Sequence, residues 1–213
     1  MEFIHNRLDT LYQFTKEKNY DIYDTETKYK GLPSSFKNRR VIKQKLYKDG
    51  NFRFPLIYDL YGLSVMIETE DHKTKQKIEC IIDYILDPEY ERLDNGYGIL
   101  VNGDRHYYAM GWDAKLPNCE QMSAEVLQRL ELMSHFKHAT VHPWFKKAYS
   151  KVQEYITDIG AYSLPKEALQ ERAGCYVLGR HMSLGENRRK KRAYEIESTF
   201  RVLKIKKILE SHL

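Results

Sequence analysis

The sequence predicts a mainly α-helical chain of stacked α-hairpins carrying one small β-hairpin, all within a single domain of residues 1–213. Three observations predict it. Apolar residues recur three and four positions apart over most of the chain, the period of a helix with a buried stripe. The segments between such runs are short, roughly 5–15 residues, which suits helices stacked as antiparallel neighbours. Residues 97–112, "YGILVNGDRHYYAMGW", leave that period and set Asn102-Gly103 between two aromatic and aliphatic runs, a strong short-range hairpin signal.

In chain order, Phe3, Ile4, Leu8, Leu11 and Tyr12 fall at helical spacing and predict an opening amphipathic helix. Residues 20–40, "YDIYDTETKYKGLPSSFKNRR", are polar and turn-rich and read as a loop before a short helix near 41–47. Helices follow over 55–69, with Pro55 suited to the first turn, and over 73–86, with Asp71 as the cap. After the hairpin, Val126, Leu127, Leu130 and Met133 mark a helix over 123–137. Further helices are predicted over 143–157, 165–172 and 188–211. On the last one, Ile196, Phe200 and Leu203 share a face, while Val202, Ile205 and Leu209 lie nearly opposite. Two apolar faces predict a helix sandwiched between neighbouring layers.

The net charge of +5 is concentrated at the C-terminal end. Residues 188–213 carry nine Lys/Arg against three Glu, a local +6 that leaves the remainder near −1. A uniformly cationic, nucleic-acid-coating surface is therefore not the pattern. Cys80, Cys119 and Cys175 are odd in number and never form a CxxC, which fits a reducing, cytoplasmic setting. No stretch approaches the ~18 apolar residues of a membrane helix. Low-complexity segments and Gly/Ser linkers are also missing from the sequence.

Two stretches carry a resemblance: "KIECIIDYILDPEYERLDNGYG" (77–98), and "HPWFKKAYSKVQEYI" (142–156) with "GRHMSLGENRRKKRAYEIESTFRVLKI" (179–205). They resemble the bacterial prenyltransferase and squalene-cyclase-like repeat proteins, whose helical hairpins close into an α/α toroid. In the first stretch Ile81, Ile82, Ile85 and Leu86 would bury one helix side, and Gly96 and Gly98 would permit a tight turn. The resemblance implies a partial or open α/α toroid. It does not bring the family's chemistry, because no Asp-x-Asp-Asp string, Asp-x-Cys zinc pair or Asp-Asp-x-x-Asp motif occurs here. The expectation is thus a non-catalytic protein binding a small apolar or isoprenoid-like ligand, or a protein partner, in an aromatic-lined concavity.

Three groups of residues are candidates for binding. Tyr97, Arg105, His106, Tyr108, Trp112 and Asp113 gather in one stretch as a ligand-pocket wall; the competing reading is a self-packed hairpin. Arg180, His181, Asn187, Arg188 and Arg189 could receive an anion where the last helix begins. His135, His138 and His142 stand at i, i+3 and i+7, a spacing that could ligate zinc. Pro143 favours a helix boundary there instead, with His142 beside a cap. No phosphate-loop or nucleophile motif occurs, and no cofactor is predicted. Nucleic acid, or another acidic partner gripped by residues 188–192, is one alternative function, and an enzyme with an unrecognised active site is another; a homodimer is also compatible.

Overall fold

The computed structural model describes residues 2–24, 34, 39–48, 51–93, 97–102, 105–110, 113–169 and 191–212. They are mainly helical, with seven α-helices and two two-stranded antiparallel sheets among them. The chain, expected from its sequence to form one domain, divides into two compact units. The first comprises residues 1–62 and 71–115; the second comprises 63–70 and 116–213.

The first unit opens with α1 (Glu2–Lys16), amphipathic as its spacing predicts. Leu8, Leu11, Phe14 and Thr15 are buried, and α1 packs along α3 (His72–Leu86). Asp71 caps α3, accepting from the backbone N–H of Lys73 and Thr74 at 2.8 and 3.1 Å. The helix buries Ile78, Ile81, Ile82 and Ile85, and a single turn, α4 (Pro88–Glu91), follows.

Aromatic rings fill the space between these helices. Tyr84 meets Phe14 edge-on at 5.7 Å and stacks on Tyr20 at 4.9 Å, and Phe54 links Phe14 to Phe52. Tyr84 also donates its hydroxyl to the Asn19 carbonyl at 2.7 Å, which ties down the chain leaving α1. The aromatic richness of the sequence is spent, in this unit, on a packed core.

Arg7 joins α1 to the start of α2 (Ile57–Thr69). Its guanidinium donates to both carboxylate oxygens of Asp59, at 2.8 and 2.6 Å. It also donates to the carbonyls of Phe52 and Phe54. Asp59 in turn accepts the Leu56 N–H at 2.8 Å, so one ion pair fixes the run of chain that enters the helix. Pro55 lies two residues before α2 instead of inside it. Its carbonyl accepts from Ala114, and this use of residues 55–56 in a bridge to 113–114 delays the helix start.

The region read as a short helix near 41–47 is different. It forms a bridge from Ile42 to Tyr23, a 3-10 turn at Gln44–Leu46, and a strand β1 (Tyr47–Lys48) paired with β2 (Asn51–Phe52). The predicted hairpin is present as β3 (Tyr97–Asn102) and β4 (Arg105–Met110). Its register pairs Asn102 with Arg105, so the two-residue connection is Gly103-Asp104, one position later than the Asn-Gly signal suggests.

In the second unit α5 (Ala124–Met133) is the central helix. Ser123 caps it, accepting the Val126 N–H at 3.2 Å. It ends at Met133, short of 137, where Ser134 turns its hydroxyl back to the Glu131 carbonyl and a 3-10 turn (Lys137–Val141) begins. α6 (Pro143–Gln153) packs on α5 and buries Trp144, Phe145, Ala148 and Val152, and Trp144 donates its indole N–H to Pro117 at 2.7 Å. It stops before 157 because Ile156 bridges to Tyr162. Of the helix predicted over 165–172, the described residues form a 3-10 turn, Lys166–Leu169, and 170–172 lie outside them. α7 (Ala193–Glu210) closes the unit.

Replacing Arg7 with Ala leaves the part-buried Asp59 carboxylate without its cation, and should cost about 2–3 kcal/mol in urea unfolding. A paired Arg7→Met, Asp59→Leu variant should recover much of that loss. At the α3 cap, the amide and hydroxyl of Thr74, then the Lys73 amide, hold the Asp71 carboxyl below its ordinary 3.8. The stabilisation is present above that value and is lost as pH falls through the lowered folded one. Asp71→Asn should therefore flatten the dependence of the unfolding midpoint on pH in that acid window.

Candidate functional site

The sequence-predicted residues separate into three outcomes. Tyr97, His106 and Tyr108 fall on one face of the β3–β4 hairpin by register, and Arg105 falls on the other. Asp113 sits in the bridge to Leu56 and accepts the Lys115 N–H at 3.0 Å, which is the work of a turn. Trp112 lies outside the described residues, as do Arg180, His181, Asn187, Arg188 and Arg189.

The three histidines are used separately. His135 holds Glu68 through Nδ1 at 2.7 Å, His138 belongs to the 3-10 turn, and His142 is the N-cap of α6. The His142 ring accepts the Trp144 N–H at 3.3 Å, as the boundary reading expects. Among the described residues, no group of three or more His, Cys, Asp or Glu is placed to hold a metal ion. None of the helices among them is long and apolar enough to cross a membrane.

What the structure brings together instead is α7, whose two sides differ. Val202 and Ile205 are buried, and Glu197 is 2 % exposed. Glu197 accepts from the Arg201 guanidinium at 3.2 and 3.0 Å, an i,i+4 pair enclosed on the inner side. Ser198 and Thr199 accept the backbone N–H groups of Leu164 and Tyr162, at 3.0 and 2.9 Å, and so pin an extended segment to the helix. Lys206 lies 5.0 Å over the Tyr162 ring, and a hydrogen bond to that tyrosine raises its pKa. At the far end His212 reaches the Ser134 carbonyl at 2.7 Å, and Lys204 reaches Glu131 at 2.6 Å.

The outer side contradicts the expectation of a sandwiched helix. Ile196, Phe200 and Leu203 are 49, 50 and 53 % exposed. The physical reason is that α5 and the 166–169 turn contact α7 in this unit, and Val202, Ile205 and Glu197 fill that side. At 100° per residue, Arg192, Ile196, Phe200, Leu203 and Lys207 form one stripe at i, i+4, i+8, i+11 and i+15: cation, three apolar residues, cation. The helix also begins later than predicted. Arg192 holds its N-cap position without a side-chain cap hydrogen bond, so the basic run leads into the positive end of the helix dipole. Glu186 and Asn187, helix-start residues by type, lie outside the described residues. The stripe was legible as a face in the sequence, but its exposure was not.

No protein-family model, curated protein sequence or solved structure matches the chain.

If the outer stripe is surface and the inner pair is structural, two substitutions on the same helix should behave oppositely. Glu197→Ala strands the mostly buried Arg201 and should cost about 3 kcal/mol in chemical unfolding. Phe200→Ser should stay within about 1 kcal/mol; a loss as large as that of Glu197→Ala would mean that the face is packed.

Proposed function

We propose that the chain is a non-catalytic helical binding protein whose recognition surface is the outer stripe of α7 and whose partner is polyanionic. The carrying observation is the pairing of half-exposed Ile196, Phe200 and Leu203 with exposed cations, Lys191 and Arg192 before them and Lys207 after them, the last lying 3.9 Å from Glu210. In sequence, Arg192 is the last of five consecutive Lys/Arg residues. Apolar surface is costly to leave in water, and cations at both ends of it favour an acidic counterpart. Cys80 and Cys119 are free thiols, in keeping with a cytoplasmic setting.

A second reading keeps the resemblance to prenyltransferase and cyclase-like repeat proteins, with a small apolar or isoprenoid-like ligand. It is favoured by the buried faces of α6 and α3, two of the helices in the segments carrying the resemblance. Mass spectrometry of the purified chain would detect such a ligand.

The polyanion reading is tested on immobilised heparin. The 213-residue chain should be retained at low salt and released as ionic strength rises. A Lys191→Gln, Arg192→Gln, Lys207→Gln variant should elute at clearly lower salt. Flow-through of the unaltered chain at low salt would refute the reading.

A further inference from the structure

The geometry points to an anionic lipid surface as the partner of α7, an inference that rests on the polyanion reading above. The order of residues along the stripe is the first reason. A nucleic acid presents phosphates and is met by a continuous row of cations, whereas here the centre is apolar and the cations bracket it. Ile196, Phe200 and Leu203 have no use on a phosphate backbone. Lys204 and Arg201, which would extend a basic row, are held by Glu131 and Glu197.

The second reason is size. A stable protein interface recruits about 20–30 residues a side, and this stripe offers three half-exposed apolar side chains. A bilayer requires no complementary shape: each apolar side chain enters the headgroup boundary individually, and each nearby cation adds its own attraction.

The third reason is the coupling of two signals. One short apolar patch holds a protein to a membrane only marginally, and a polybasic patch beside it makes the attachment stable. The run Arg188–Arg192 directly precedes α7 in the sequence, and its last two residues, Lys191 and Arg192, are exposed. The inner side of α7 is committed to the protein through Val202, Ile205 and the Glu197–Arg201 pair. The helix would therefore lie in the membrane plane with its outer stripe inserted and its inner side still packed.

Co-sedimentation with vesicles tests this, using phosphatidylcholine alone and phosphatidylcholine with about one quarter phosphatidylserine. The chain should sediment with the second and remain in solution with the first. Phe200→Ser keeps every charge and should weaken vesicle binding about fivefold. Phe200→Trp should show a blue-shifted emission on the anionic vesicles. Heparin retention without preference for anionic vesicles overturns lipid docking and leaves the polyanion reading standing. Vesicle binding indifferent to Phe200→Ser, an unshifted emission from the Phe200→Trp variant, or displacement from vesicles by stoichiometric duplex RNA overturns it equally. Loss of both heparin and vesicle binding removes the underlying reading as well.

Discussion

Taking most of an arginine out of water costs several kcal/mol unless its guanidinium finds a carboxylate or other acceptors, and residues around α1, α5 and α7 answer that constraint within each unit. In the first, Arg7 takes both oxygens of Asp59 and two backbone carbonyls. The consequence reaches past the pair itself, because Asp59 also receives Leu56 and so sets where α2 begins. The ring-on-ring packing of Phe52, Phe54 and Phe14 is assembled around the same point.

The second unit meets the constraint on α5 and α7. Arg129, 4 % exposed, donates to Gln128 at 2.7 Å, and Arg201 closes on Glu197. The Glu197–Arg201 pair helps decide which side of α7 turns inward. With Val202 and Ile205 inside, the 3.6-residue period carries Ile196, Phe200 and Leu203 to the other side, whatever their hydrophobicity. An exposed apolar stripe is therefore the counterpart of the buried apolar pair on the inner side. The same stripe is the surface to which a binding role is assigned.

Local signals in the sequence were dependable where the interaction is itself local. Asp71 and Ser123 cap α3 and α5 because the cap lies within three residues of the N–H groups it serves. The His142-Pro143 boundary holds for the same reason. Helix ends were less legible, since the Pro55–Ala114 and Ile156–Tyr162 contacts that displace them come from distant or non-periodic residues. One local signal was overlooked: Asp49-Gly50, between Lys48 and Asn51, is a standard hairpin pair and stands between β1 and β2. The later Asn102-Gly103 misled by one residue because Gly103-Asp104 is an equally acceptable two-residue connection.

By itself the sequence determined the helical character, the Asp71 and His142 caps, the hairpin between 97 and 112, and the concentration of charge at the C-terminal end. Each follows from neighbours a few residues apart. Tertiary structure alone decided that aromatic residues of the first unit pack as core, that the three histidines are spread over separate tasks, and that only one apolar side of α7 is covered. Periodicity reports that a face is apolar; only the elements packed against it determine whether that face meets protein or solvent.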